Sequence, residues 1–282
     1  MSGPSSMAAA AAAISDDSRY VDDSDQIRSL LRNLPSLKGP YAPVDWAAFP
    51  ATPQAAFVQW LRDAIAEGGK TAAASATPYE PHAMTVSTVD AEGLPDARVL
   101  ILKNVDGRGW HFAVKAASPK GRQLTANPAC SLTFYWSSLG RQVRIRGRAL
   151  PLPVEECAAD FLARPLASRV SAVASPQSEV MVDPGTSENE LSKRTAEVQA
   201  LFDKDPEYVS PGWLVYAVAP TDVEFWQGAT DRQHHRLRQG GEPPKPKMVR
   251  FRKFGQTLGS AATTYEHDSV HTRDVLYLKG HL

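Results

Sequence analysis

Residues 231–238 form the densest group of side chains in the chain that could bind an anion. An extended strand places alternate residues on one face, and here these are Arg232, His234, Arg236 and Arg238. Positive groups at this spacing repel one another unless they share an anion. The same pattern also suits a solvated edge strand whose charges prevent aggregation. Trp226, an aromatic residue just upstream, favours a planar anionic ligand.

A second candidate anion site is the predicted helix start at residues 118–121. Ser118 can cap this helix, and Pro119 suits its first turn. Free backbone amides and the helix dipole favour a phosphate at such a terminus, and Lys120 adds a full positive charge. Helix starts are common, so this signal alone identifies no site.

The composition is that of an ordinary globular protein. Of its 282 residues, 43% are hydrophobic and 22% are charged, and Lys plus Arg equal Asp plus Glu at 31 each. No overall field therefore attracts nucleic acid or a membrane, and no apolar run reaches membrane-spanning length. Cys130 and Cys157 are too few for a disulfide framework or a zinc ligand pattern. We expect a cytoplasmic protein without a metal site and without nucleic-acid or membrane partners.

Residues 1–25 are predicted to be a disordered tail. Six alanines at positions 8–13 precede five aspartates. This pattern suits neither an Arg-rich transit peptide nor a secretory signal with a basic start. No linker divides the following chain, so residues 26–255 are predicted to form one domain.

Hydrophobic periodicity predicts a mainly β fold with peripheral helices, an α+β class. Apolar residues at helical spacing predict helices at residues 54–67, 118–127, 154–162 and 187–202. Alternating patterns between turn signals predict strands at residues 84–89, 97–103, 110–114, 129–136, 141–150, 213–219 and 223–226. Short turns between successive strands imply antiparallel pairing in a barrel or sandwich. The chain has no Gly-x-Gly-x-x-Gly motif, so a Rossmann site has no support.

Eight sequence blocks occur in the order and spacing of one known family. They are residues 98–103 (RVLILK), 118–121 (SPKG), 134–136 (FYW), 140–144 (GRQVR), 164–165 (RP), 175–178 (SPQS), 224–228 (EFWQG) and 232–236 (RQHHR). Through these blocks the chain resembles the pyridoxamine 5′-phosphate oxidase family over residues 27–238. The resemblance implies an antiparallel FMN-binding split β-barrel. It also implies a homodimer that holds FMN across its interface, with a vitamin B6 phosphate stacked on the flavin.

The resemblance also implies roles for individual residues, with the FMN phosphate at Arg98 and Lys120. The implied cofactor-binding residues are Arg98, Val99, Leu100, Lys103, Lys120, Gln142, Gln177, Ser178, Trp226 and Arg236. The implied substrate-binding residues are Lys103, Asp160, Arg164, Ser168, Arg232 and His234. Arg232 and His234 are the implied catalytic pair, Arg232 over the reacting carbon and His234 at the polar edge of the substrate.

The chain departs from the family pattern at two places besides the substrate pocket. Ala113, Val114 and Pro119 stand where the family has tyrosine, threonine and arginine beside the FMN phosphate. The change removes a hydroxyl and a charge, so we expect a lower FMN affinity. The usual ending, a tryptophan followed by Arg-Leu-x-Pro, is also missing, and residues 256–282 are therefore interpreted as a divergent C-terminal segment.

Asp160 stands where the family has a tyrosine beside the substrate phosphate. A carboxylate about 5 Å from a phosphate costs on the order of 3 kcal/mol per unit charge at an effective dielectric of about 20. Asp160 therefore either opposes a phosphate or serves a substrate that lacks a phosphate or carries a cation. A further alternative is a simple ion pair with Arg164 on the same helical face.

These observations predict an FMN-dependent oxidase in which the flavin takes a hydride from the substrate and oxygen reoxidises it. The first expected substrate is pyridoxamine or pyridoxine 5′-phosphate, giving pyridoxal 5′-phosphate, and the intact residues 232–236 favour it. A related FMN oxidase of specialised metabolism, like the phenazine-biosynthesis oxidases, is the alternative that Asp160 favours. A flavin-binding protein without turnover is a third alternative, which the altered phosphate site suits.

Overall fold

The computed structural model describes residues 24–72, 79–178 and 184–240. The chain divides into two compact units, Met1–Lys38 and Gly39–Leu282. The predicted disordered tail, apart from residues 24 and 25, lies outside the described residues, as does the predicted segment 256–282. Both remain predictions.

The predicted helices and strands occur in the predicted order, with one further helix in each unit and a short strand, β3, where the sequence predicted a turn. The helices are α1 (Ser24–Arg32), α2 (Pro53–Ala72), α3 (Pro119–Ala126), α4 (Val154–Leu162), α5 (Leu166–Ala174) and α6 (Pro184–Lys204). The strands are β1 (Ala83–Val89), β2 (Pro95–Ile101), β3 (Asn104–Asp106), β4 (Gly109–Lys115), β5 (Ala129–Trp136), β6 (Arg141–Pro151), β7 (Trp213–Gln227) and β8 (His235–Gly240).

The strands form one antiparallel sheet in the order β2-β1-β5-β6-β7-β4-β3. The long strand β7 pairs with β4 through its first half and with β8 through its second half, while β6 lies along its other side. Strand β7 thereby joins two parts of a curled sheet, and helices cover the sheet. The predicted fold class, a mainly β antiparallel sheet with peripheral helices, is confirmed.

The core forms where helix α2 packs against one face of the sheet. Phe57 and Trp60 are buried with the strand residues Trp110, Phe134 and Trp136. The ring of Phe57 lies 4.7 Å from that of Phe134 and 5.6 Å from that of Trp110. Aromatic pairs of this kind contribute about 0.5–1.5 kcal/mol beyond the area that they bury. The predicted apolar stripe of α2 is confirmed, and Trp60 is a core residue as expected.

The two strands predicted after residue 212 are a single strand, β7. The register between β6 and β7 shifts beside Gly147, and Thr221 is left over as the extra residue of a β-bulge. A Cβ at position 147 would lie 2.1 Å from the Ala219 carbonyl oxygen, so only glycine allows this approach. The prediction of two strands was wrong because the bulge accommodates Pro220 without ending the strand.

Three helix predictions also need correction. Helix α2 runs to Ala72, past its predicted end at residue 67. Helix α6 begins at Pro184 and not at the predicted cap Ser187, because proline suits the first turn of a helix. Helix α5 was not predicted, since Pro165 was interpreted only as the end of α4; it is also the N-cap of α5. None of the described helices has both the length and the apolar composition that crossing a membrane requires.

Candidate active site

Three residues predicted to contact the flavin lie side by side on neighbouring strands. Gln142 on β6 is in register with Trp226 on β7, and Trp226 is in register with Arg236 on β8. The strand neighbours Val143 and Phe225 are fully buried in the core, so the three residues lie on the opposite face, here called the outer face. This outer row presents an amide, an indole and a guanidinium on one surface, which suits a planar ligand with polar edges.

His234 packs against the outer row as a buried, neutral hydrogen-bond donor. Its ring centre lies 4.9 Å from that of Trp226, and the residue is 2% exposed. Because its Nδ1 accepts a hydrogen bond from the Ala229 N–H at 3.1 Å, the neutral ring carries its proton on Nε2. Burial and then the charge of Arg236 lower the pKa of His234, against the opposing effect of Asp231. Within the described part of the chain, Nε2 has no hydrogen-bond partner, so it can donate to a ligand.

We expect His234 to make the folded state less stable as the pH falls below its unfolded-state pKa of about 6.5. The folded-state pKa of His234 is lowered. Between the unfolded-state pKa and the folded-state pKa, the unfolded chain therefore binds a proton that the folded chain does not, and the free energy of unfolding falls as the pH falls through this range. His234→Gln keeps an acceptor for the Ala229 N–H and does not titrate. Urea denaturation of both proteins at about pH 7.5 and about pH 5.5 should therefore give a smaller pH effect in the variant. The same pH effect in both proteins would contradict this role.

Arg232 lies in a turn before β8 and not in the extended strand that the sequence predicted. Its φ is 61°, and its N–H donates to the Ala229 carbonyl oxygen at 3.0 Å, which closes the turn. The prediction that all four basic residues lie on one strand face was wrong, because strand β8 begins only after His234. Arg236 and Arg238 do share a face of β8, while Arg232 is exposed at the turn.

The predicted phosphate site brings two cations to the start of helix α3. Ser118 is the cap, as predicted: its Oγ accepts a hydrogen bond from the Gly121 N–H at 3.2 Å. Lys120 is only 6% exposed, and its Nζ donates to Gln177 Oε1 at 3.1 Å. Burial and then the charge of nearby Arg98 lower the pKa of Lys120. An anion at this helix start would favour the charged form of Lys120.

Arg98 is held by a network that sequence analysis missed. Its guanidinium donates to Thr88 Oγ1 at 2.6 Å and pairs with Asp96. Gln123 on α3 completes the network, accepting from the Thr88 hydroxyl at 2.5 Å and donating to Asp96 at 3.2 Å. These three residues belong to three separate elements, so no spacing pattern could have revealed them. Arg98 lies close enough to Lys120 for its charge to act on it, so the network brings two cations together beside the Asp96 carboxylate.

A third group of side chains contains the predicted substrate-binding residues Lys103, Asp160 and Arg164. Asp160 Oδ1 lies 3.2 Å from Lys103 Nζ, and Oδ2 accepts a hydrogen bond from the Trp213 indole N–H at 2.9 Å. The Arg164 guanidinium carbon lies 4.2 Å from the centre of the Trp213 ring. The close ion partner of Asp160 is Lys103 and not Arg164, because α4 ends at Leu162. Burial lowers the pKa of Arg164, and the charge of Asp160 opposes this effect. Trp213 was interpreted from the sequence only as a strand residue.

The other predicted site residues have different surroundings. Val99 is exposed on the outer face of β2, whereas Leu100 is partly buried against the core. Ser168 lies in the first turn of α5, where its N–H donates to the Pro165 carbonyl oxygen at 2.9 Å. Ser178 has a φ of 68° and follows Gln177 directly.

The phosphate site and the outer row lie on opposite faces of the sheet within one chain. Arg98 is in register with Val86, which is fully buried and therefore lies on the core face. Strand β2, which carries Arg98, is four positions from β7 in the sheet.

A cavity of about 470 Å³ lies between residues 40–46 and the turn at residues 227–231. Its lining includes Tyr41, Trp46 and Asp231 but none of the predicted site residues that the structure describes.

Comparison with known proteins identifies the family. A sequence model described as pyridoxamine 5′-phosphate oxidase matches residues 71–199, and one described as the pyridoxine 5′-phosphate oxidase C-terminal dimerisation region matches residues 213–243. The pyridoxine/pyridoxamine 5′-phosphate oxidase of Pseudomonas paraeruginosa is 43% identical over 188 residues, which are 67% of this chain and 82% of that protein. The chain belongs to the pyridoxamine 5′-phosphate oxidase family.

Two further known proteins support this family assignment. The enzyme of the same name from Ectopseudomonas mendocina is 44% identical over 191 residues, which are 68% of this chain and 84% of that protein. The crystal structure of PhzG from Burkholderia lata 383, in complex with tetrahydrophenazine-1-carboxylic acid, has 28% identity and a TM-score of 0.63. It covers 73% of this chain and 95% of PhzG. The predicted FMN-binding split-barrel fold and the predicted class, FMN-dependent oxidoreductase, are confirmed.

Proposed function

We propose that the protein is an FMN-dependent oxidase that takes a hydride from a small heterocyclic substrate. The observation that carries the proposal is the pairing of buried Lys120 with Arg98 at the start of α3. Asp96 compensates part of the charge of Arg98, and the phosphate of FMN would offset the remaining positive charge and the cost of burying Lys120. Each charge-assisted contact to that phosphate contributes about 1.5–3 kcal/mol.

We assign the flavin ring to the outer row of a second copy of the chain. Within one chain, the row and Arg98 lie on opposite faces of the sheet, the row on the outer face and Arg98 on the core face. One FMN molecule that contacts both groups therefore takes the phosphate site from one chain and the row from another.

A homodimer is also supported by apolar side chains on the outer face. Val99, Ile101 and Tyr135 are 65%, 38% and 56% exposed. The strand register puts them on the same face as the outer row. Covering such surface contributes about 25 cal/mol per Å², and it also protects the edge strand β2. The match of residues 213–243 to a dimerisation region supports the same assembly.

When bound, FMN supplies the hydride acceptor, and the residues of the chain bind and orient the substrate. His234 directs its Nε2 proton at an acceptor on the substrate, beside the ring of Trp226. We assign Arg232, which is exposed in its turn, to cover the reacting carbon. Neither residue has to be a strong base, since the lowered pKa keeps His234 neutral near pH 7.

Two substrate classes remain in this proposal. Pyridoxamine or pyridoxine 5′-phosphate, with pyridoxal 5′-phosphate as product, is the first candidate, because relatives of that name are 41–44% identical. A reduced heterocyclic carboxylic acid is the second, because PhzG holds tetrahydrophenazine-1-carboxylic acid and because Asp160 here pairs with Lys103.

The absorbance spectrum of the purified protein tests the proposed function. We expect FMN in preference to FAD, with one FMN per subunit, because the phosphate site fits a terminal phosphate. Substrate added without oxygen should bleach the flavin band, and oxygen should restore it. A protein with no affinity for FMN would refute the proposal. Bound flavin that neither pyridoxamine 5′-phosphate nor a reduced heterocyclic acid bleaches would instead indicate binding without turnover.

A further inference from the structure

Asp160 changes the charge of the predicted substrate-anion subsite, which consists of Lys103, Asp160, Arg164 and Trp213. Both carboxylate oxygens are engaged, Oδ1 by Lys103 at 3.2 Å and Oδ2 by the Trp213 N–H at 2.9 Å. The side chains of Lys103 and Asp160 are mostly withdrawn from solvent, which leaves their attraction only partly screened. The charge of Lys103 is therefore compensated before any ligand arrives.

Arg164 is the remaining cation of the subsite. Its guanidinium stacks on Trp213, which fixes the plane of its donors. Its NH1 is buried and has no hydrogen-bond partner among the residues that the structure describes. An unpaired buried donor of this kind is costly, so NH1 is available to donate to an acceptor on a ligand.

The charges of the subsite add up to one positive charge: two from Lys103 and Arg164, less one from Asp160. A phosphate monoester carries about −1.5 to −2 near pH 7. It would leave negative charge uncompensated beside the Asp160 carboxylate. A carboxylate carries a single negative charge and matches the planar donors of a guanidinium.

We propose that Asp160 makes this subsite select substrates with a single carboxylate over substrates with a phosphate ester. The inference rests on the proposed oxidase function and chooses the second of its two substrate classes, a small heterocyclic carboxylic acid. Asp160 is thus a specificity-determining residue. It does not serve a cationic substrate, because both of its oxygens already have partners.

Calorimetric titration of the FMN-loaded wild type tests the ranking directly. The unreactive probes are 4-deoxypyridoxine 5′-phosphate and the analogue in which a carboxymethyl ether replaces the phosphate ester. We expect the carboxymethyl analogue to bind at least as tightly as the phosphate. Phosphate binding that is about tenfold tighter or more would overturn the proposal.

Asp160→Asn removes the charge and keeps an oxygen that can accept from the Trp213 N–H. We expect the affinity for phosphate relative to carboxylate to rise by about tenfold, because the repulsion that is removed grows with the charge of the ligand. Turnover of the two substrate classes should change in KM and not in kcat, since the subsite holds the anion and not the reacting carbon.

Glu156→Gln is the matched control on the same helix. It removes one negative charge from an exposed residue that pairs with Arg108 at 2.7 Å, so the affinity ratio should not change. An unchanged ratio in Asp160→Asn, or an equal shift in Glu156→Gln, would overturn the proposal. If Asp160→Asn does not fold, the relative affinities of the wild type for the two probes test the proposal by themselves. FMN binding with a phosphate-preferring wild type rejects only this inference, whereas absence of FMN binding rejects the proposed function as well.

Discussion

Replacing Arg98 with alanine should weaken FMN binding by about tenfold to a hundredfold and leave the protein folded. A charge-assisted hydrogen bond to phosphate contributes about 1.5–3 kcal/mol, and about 1.4 kcal/mol corresponds to a factor of ten. Arg98 lies on the edge strand β2 and is partly exposed, so its loss leaves the core intact. Quenching of flavin fluorescence on binding measures the affinity.

The matched control is Arg122→Ala on helix α3. Arg122 is exposed, and its guanidinium donates to the Ala117 carbonyl oxygen. It has no assigned contact with FMN, so the affinity should match that of the wild type. Unchanged FMN affinity in Arg98→Ala would remove the basis for the proposed phosphate site.

The same titration has an expected pH dependence. FMN affinity of the wild type should fall as the pH rises through the lowered pKa of Lys120, because only the ammonium form attracts phosphate. Arg98→Ala removes one cause of that lowering. The loss of affinity with rising pH should therefore begin at a higher pH in the variant.

Replacing Ile101 with glutamate should abolish the dimer and FMN binding together. Ile101 is exposed on the outer face of the edge strand, and it is not one of the residues predicted to contact FMN. Burying an unpaired carboxylate at an interface costs several kcal/mol, which is enough to dissociate a dimer at micromolar concentration. Light scattering should give the 30.6 kDa mass of one chain for the variant and about twice that mass for the wild type.

Val154→Glu is the control for this experiment, because Val154 is exposed on helix α4 and not on the outer face. It should remain dimeric and bind FMN. A monomeric Ile101→Glu with full FMN occupancy would refute a site shared between two chains. An intact Ile101→Glu dimer would show that another face forms the interface.

Much of the fold was predictable because its signals are local. The cap at Ser118 and the apolar stripe with Phe57 and Trp60 depend on residues within a few positions of one another. Strand period and the order of the eight blocks likewise predicted the antiparallel sheet and the family. The prediction of two strands in place of β7 failed because tertiary pairing overrides a local signal there. Pro220 indicates the end of a strand in the sequence, but the bulge opposite Gly147 allows β7 to continue past this proline.

The candidate site also has features that the sequence determined and features that only the tertiary structure decided. The sequence by itself determined that the chain resembles a flavin-binding family. The types and order of residues in the blocks that contain Arg98, Lys120 and Trp226 are sufficient for that inference. Only the tertiary structure decided which cations remain uncompensated. Asp160 is four residues from Arg164 in the sequence, yet it pairs with Lys103 on a distant segment. Side-chain charges act through space, so their partners depend on where β2 ends relative to helix α4 and not on their spacing along the chain.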